Sequence, residues 1–97
     1  MPAYLAIELT ITDPKGFDEY LGKVVPTIFA FGGKPLSYSN RYEVLEQQRP
    51  WQPERVVLIE FPDTTSLKAW YDSPDYEPVR AIRHGAARTN MIALEGD

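Results

Sequence analysis

The sequence predicts an α+β chain with a four-stranded antiparallel sheet, and three observations support that expectation. Stretches of period-two hydrophobicity alternate with stretches of three- and four-residue period, in the order β-α-β-β-α-β. Asp-Pro and Ser-Pro pairs stand where helices would begin, and a Gly-Gly pair stands where one would end. The length of 97 residues admits one domain, residues 1–97, with a single small core.

Each element has its own signal. Ala3, Leu5, Ile7, Leu9 and Ile11 alternate with Tyr4, Ala6, Glu8 and Thr10, the mark of a half-buried strand. Asp13-Pro14 then supplies a helix N-cap with proline at the first helical position. Phe17, Tyr20, Leu21, Val24, Val25 and Ile28 form one apolar stripe, Pro26 predicts a kink, and Gly32-Gly33 closes the helix. Arg41 to Gln47 reads as the second strand, and Gln48 to Pro53 as a proline-rich loop around Trp51. Arg55 to Phe61 is dense in β-branched residues and is the third strand. Asp63 caps a short helix bearing Leu67, Trp70 and Tyr71. Ser73-Pro74 opens a helix from about Pro74 to Ala87, with Pro78 in its second turn. Arg88 to Glu95 completes the sheet, and Gly96-Asp97 is expected to fray.

This order is the ferredoxin-like arrangement, with strand one central beside strand three and both helices on one sheet face. Strand three has Val57, Ile59 and Phe61 on one side and Val56, Leu58 and Glu60 on the other. Both sides are largely apolar, where a sheet with one wet face would alternate. So small a chain has no second layer for the open face, so a homodimer through that face is expected.

Composition removes several classes of function. Ten Lys and Arg face 14 Asp and Glu, a net charge of −4, which argues against nucleic-acid binding. Zero cysteines exclude disulfides, thiolate metal sites and cysteine nucleophiles, and a single histidine excludes a multi-histidine metal site in one chain. No apolar run approaches membrane-spanning length, and the N-terminus lacks a basic leader region. The expectation is a cytoplasmic protein with no metal, no cofactor and no membrane partner.

PAYLAIELTITDP, FGGKP, RVVLIEFP and above all LKAWYDSPDYEPVRAIR resemble the DUF1330 family over nearly the whole chain. The pattern formed by Trp70, Tyr71, Ser73, Pro74, Tyr76 and Arg80 is the specific part of the match. The resemblance implies a protomer of the dimeric α+β barrel superfamily, whose sheet packs on a partner's sheet. It implies no function, because the family is one of unknown function. The wider superfamily includes cofactor-free and haem-degrading monooxygenases, isomerases, dehydratases and stress-response proteins, so fold-level analogy does not choose among them. The haem-degrading relatives carry an asparagine on the first strand, a tryptophan on the second helix and a haem-ligating histidine further along. Trp70 occupies a similar place, but Ile7 and Glu8 stand on the first strand, Arg80 stands where the histidine is expected, and His84 comes a turn later. Haem binding is therefore not expected.

The residues able to carry chemistry are few. Arg80, Arg83 and His84 share a face of the last helix and offer an anion site through arginine's planar fork. The plainer account is that such cations complement the helix C-terminus or pair with Asp72, Asp75 or Glu77, and it suits Arg83 and Arg88 better than Arg80. Glu8 and Glu60 lie on the non-helical sheet face, where close neighbours would form an acid–base pair; ion pairs with Arg41 or Arg55 are the plainer account. Trp70, Tyr76 and Tyr4 suit the wall of a small-molecule pocket, or else belong to the core with their polar tips satisfied. His84 is the one residue that titrates near neutrality unaided, and it is a candidate general base or a surface residue.

Three functions are compatible with this set. One is a cofactor-free enzyme holding a small anionic or aromatic molecule through Arg80, with His84, Glu8 or Glu60 moving a proton. Another is a non-catalytic binding module using the same helix–sheet cleft, and the third is a structural homodimer or partner-binding protein. An open cleft favours the first two; a cleft filled by Trp70 and Tyr76 favours the last.

Overall fold

The structure is a computed structural model that describes residues 1–96. Its elements run β1 (Ala3–Ile11), α1 (Pro14–Ala30), β2 (Lys34–Ser39), β3 (Arg55–Phe61), α2 (Thr64–Tyr71), α3 (Glu77–Ala86) and β4 (Ala87–Glu95). The strands form one antiparallel sheet in the order β2-β3-β1-β4. This is the ferredoxin-like arrangement, with β1 central between β3 and β4.

The period of two in β1 fixes which side is covered. Ala3, Leu5, Ile7 and Leu9 are buried beside Val57, Ile59 and Phe61 of β3, and all three helices add residues to that core. Phe17, Tyr20, Val24 and Ile28 are the buried stripe of α1; Leu67 and Trp70 are that of α2; Val79, Arg83 and Ala86 are that of α3. The helix starts follow their caps. Asp13 accepts from the Gly16 N–H at 3.3 Å and Asp63 from the Ser66 N–H at 2.7 Å. The backbone N–H groups of Thr12 and Asp13 both donate to the Ala86 carbonyl, at 2.8 and 3.0 Å. That bond pair ties the start of α1 to the end of α3.

The end of α1 is set by its two glycines. Gly32 takes a left-handed φ of +77°, which costs a glycine little. The N–H of Gly33 then donates to the Ile28 carbonyl at 2.9 Å, closing the helix. Pro26 lies inside α1, and the helix runs through it unbroken to Ala30.

Three expectations need correction. The second strand is Lys34–Ser39, and Arg41 to Gln47 belongs to the long loop between β2 and β3. As a sheet edge, β2 leaves almost every side chain exposed, so it lacks the alternation that marks β1. It also tolerates Pro35 and an irregular register between Pro35 and Ser37, as edges do. The helix expected from Pro74 to Ala87 begins only at Glu77, after a turn, so Pro78 lies in its first turn where no helical hydrogen bond is lost. Ser73 still caps this segment: its hydroxyl accepts from the Tyr76 N–H at 3.1 Å and donates to the Trp70 carbonyl at 2.9 Å. Gly96, expected to fray, donates its N–H to the Pro2 carbonyl at 2.7 Å, while Asp97 lies outside the described residues.

Gly33 is required by space. A Cβ there would sit 2.5 Å from Ile28 Cγ2 and 2.8 Å from Phe61 Cε1, both in the core. Gly33→Ala is therefore expected to destabilise the fold by about 1–3 kcal/mol, the usual cost of overpacking, as read by urea denaturation. An unchanged midpoint would show that α1 shifts to make room.

Candidate functional site

An aromatic seam joins the helices to the sheet. The Trp70 ring lies 4.2 Å from the Tyr76 ring and 5.6 Å from that of Phe61, between centroids, and its indole N–H donates to the Thr27 hydroxyl at 3.0 Å. The hydroxyls of Tyr76 and Tyr20 meet at 3.0 Å inside the core. Burial, and then the neighbouring Tyr76 hydroxyl, push the Tyr20 phenol strongly upward in pKa, so it stays protonated.

Beside this seam lies a cavity of about 150 Å³ between α1 and the sheet. Val24 and Ile28 of α1, Ile7 and Ile59 of the sheet, and the Trp70 ring form its apolar wall. It extends towards Val25 and Tyr38, which are partly exposed, at the β2 edge. One charged side chain enters it, that of Arg83, which is only 4% exposed. Arg83 forms no ion pair with any described residue, and its Nε is buried without a hydrogen-bond partner. Its Nη2 lies 3.3 Å from Nε2 of His84. A buried cation normally survives only when paired, so this guanidinium is a standing demand for an anion.

Arg80 is used differently. Its Nη1 donates to the Tyr71 carbonyl at 2.8 Å, and its guanidinium lies 4.6 Å from the centre of the Tyr71 ring. It thus holds the end of α2 against α3 and does not line the cavity. His84 is exposed beside Arg83; partial desolvation, followed by the charges of Arg83 and Arg80, holds its imidazole below the usual pKa. Trp70 walls the cavity, whereas Tyr76 lies behind it and reaches it through Tyr20.

The other sequence candidates lie across the sheet. Tyr4 and Glu60 are register partners on the open face, and desolvation followed by the Glu60 charge raises the Tyr4 phenol. Glu8 pairs with Val56, four positions from Tyr4, which separates it from Glu60 by roughly 13 Å at strand spacing. The two carboxylates are therefore not neighbours and form no acid–base pair. Glu8 instead accepts from the Asn90 amide at 2.8 Å and from the Trp51 indole, and these bonds hold its carboxyl below its usual pKa. It anchors the 40–54 loop to the sheet. No ion pair joins Glu8 or Glu60 to Arg41 or Arg55; Arg55 lies 4.7 Å from the centre of the Tyr38 ring.

Fold and site together define a class: a ferredoxin-like protomer with a helix-side cavity and an opposite sheet face that no helix covers. The family described as a domain of unknown function, DUF1330, matches residues 2–97, and the chain belongs to it. Among curated proteins none matches. Among solved structures, the chain is similar to a protein of unknown function from Rhodopseudomonas palustris at 15% identity and a TM-score of 0.82, covering 99% of this chain and 82% of that one. It is also similar to SnoaB, a cofactor-independent oxygenase from Streptomyces nogalater, at 12% identity and a TM-score of 0.66, covering 99% and 93%. A dimeric ferredoxin-like protein of unknown function from a Jannaschia species matches at 13% identity and 0.66, covering 99% and 100%. At these identities the likeness shows the fold alone.

Tyr20 is the residue the sequence candidates left out. For Arg83 the plainer account from sequence is the helix C-terminus or a surface ion pair, yet Val79, Arg83 and Ala86 fall at helical spacing on one buried face, and that spacing is the signal for its burial. An unpaired buried cation lowers stability. Arg83→Met, similar in bulk, is expected to stabilise the ligand-free protein by about 1–4 kcal/mol and raise Tm by several degrees in a thermal scan. A lower Tm would mean that the guanidinium is satisfied within the fold.

Proposed function

We propose that this protein binds a small organic acid with a single apolar or aromatic ring. The ring lies in the cavity between α1 and the sheet, and the acid group pairs with Arg83. The observation that supports this reading is the buried, unpaired guanidinium at the edge of an apolar cavity. A cavity of about 150 Å³ lined by aliphatic and aromatic side chains is large enough for a benzene ring. The reading is of binding, not of turnover. Tyr20 stays protonated and acts only as a hydrogen-bond partner, and Glu8 and Glu60 lie beyond the sheet.

The test is calorimetric titration with benzoate, cyclohexanecarboxylate and the uncharged isostere benzamide. A hydrogen bond to a charged group contributes roughly 1.5–3 kcal/mol, so the acids are expected to bind at least about tenfold more tightly than benzamide. Arg83→Met should remove that preference. Equal binding of benzoate and benzamide, or no saturable binding of any of the three, would overturn the reading.

We also propose that the functional unit is a homodimer closed through the open sheet face. Ala6, Val56, Leu58, Ile92 and Leu94 are brought together there by the register, and Ile92 is 57% exposed. An apolar patch of this kind on a small chain favours a partner, and a related solved structure is described as dimeric. Sedimentation velocity is expected to give a dimer mass at micromolar concentration, and Leu58→Asp a monomer that keeps its circular dichroism. A wild-type monomer would refute the assignment.

A further inference from the structure

The contact between Arg83 and His84 has a consequence for how an anion would be held. Arginine only donates, so Nε2 of His84, 3.3 Å from Arg83 Nη2, must accept, and the imidazole is then neutral with its proton on Nδ1. The two side chains share a recess of about 440 Å³, bounded also by Tyr71, Thr89 and Asn90, which meets the cavity at Arg83 and Met91. Two buried polar atoms in its lining residues lack partners, Arg83 Nε and the Thr89 hydroxyl. The groups facing His84 are Arg80 and Arg83 from its own helix, Tyr71 from α2, and the non-titrating Thr89 and Asn90 from β4. No carboxylate lines the recess. The imidazole is thus set among positive charges with nothing to offset them.

We propose that His84 is a positioning residue for the acid group paired with Arg83, and that the ligand binds together with one proton. The inference rests on the anion-binding reading above. When a carboxylate takes the Arg83 Nη2–H, Nε2 of His84 loses its donor and gains a negative neighbour. A proton from solvent then adds to Nε2, and the new N–H donates to the same carboxylate. The acid group ends between two cations, with Arg83 permanently charged and His84 charged only in the complex. The direction follows from linkage: an imidazole more basic in the complex than in the free protein makes binding tighter as pH falls. A basicity rise of one unit corresponds to about tenfold in affinity.

The test is benzoate titration of the full chain between about pH 8 and 5.5, where the ligand's own carboxyl remains ionised. Wild-type protein is expected to bind roughly tenfold more tightly at the acid end, with uptake of a proton seen as a dependence of the heat on buffer ionisation enthalpy. His84→Gln keeps a carbonyl acceptor for Arg83 but does not titrate, and should bind with a flat pH profile and no proton uptake. Benzoate binding that depends on Arg83 but does not vary with pH would overturn this inference and leave the binding reading standing. The same slope in His84→Gln would overturn it too. Absence of saturable benzoate binding at every pH would remove the reading on which it rests, and the inference with it.

Discussion

Trp70 is the side chain on which the helical layer depends. It sits on α2 yet packs on Phe61 of β3 and Tyr76 before α3, and it bonds to Thr27 of α1. An indole taken from water needs an acceptor for its N–H, and Thr27 is free to accept because its own proton goes to the Val24 carbonyl at 2.6 Å. One residue therefore fixes the spacing of three helices over the sheet. Truncating such a core tryptophan typically costs about 3–5 kcal/mol, a large share of a small domain's stability. The cavity lies against the same ring, so the residue that builds the layer also forms the cavity wall.

The polar groups in this core are arranged in order of need. Tyr76 and Tyr20 satisfy each other, and Ser73 satisfies two backbone groups at the turn between α2 and α3. Arg83 is the group left over. Burial demands a counter-charge, and the described residues supply only neutral groups, the His84 nitrogen and the Tyr20 hydroxyl. A buried cation without a counter-charge lowers stability, so its replacement by a methionine of similar bulk removes that cost.

How much of this was legible depended on whether a signal was local. The alternation in β1, the caps Asp13 and Asp63, the stripe of α1 and the Gly32-Gly33 stop are all properties of a few adjacent residues, and each is where the sequence puts it. The edge strand was missed because KPLSYS buries almost nothing, while RYEVLEQ has better local alternation but is left in a loop where Leu45 is 88% exposed. The faces of Glu8 and Glu60 were readable from period two, but their separation depends on the β1–β3 register, which no local signal reports. Arg83 was hidden by its residue type, since charge suggests surface while its helical position says interior. Family resemblance singled out Arg80, and geometry gives that residue a structural contact with Tyr71 instead.

The two faces of the sheet are chemically separate, and this separation limits what each can do. On the helical face lie the apolar cavity and the one cation that lines it, Arg83. On the open face, the middle rank of Leu58, Ala6 and Ile92 is apolar, while Glu60 beside Tyr4 stands towards one end and Glu8, held between Trp51 and Asn90, towards the other. A carboxylate satisfied from two sides and kept more acidic than usual is a poor proton acceptor and a good tether. Glu8 therefore orders the 40–54 loop at one end of the face, with Trp51 beside Ala6, Val56 and Ile92. A TM-score of 0.82 at 15% identity shows how little sequence this sheet and its helices require. What distinguishes one such chain from another is the set of side chains facing the cavity, and here that set includes one buried cation, Arg83, with His84 against it.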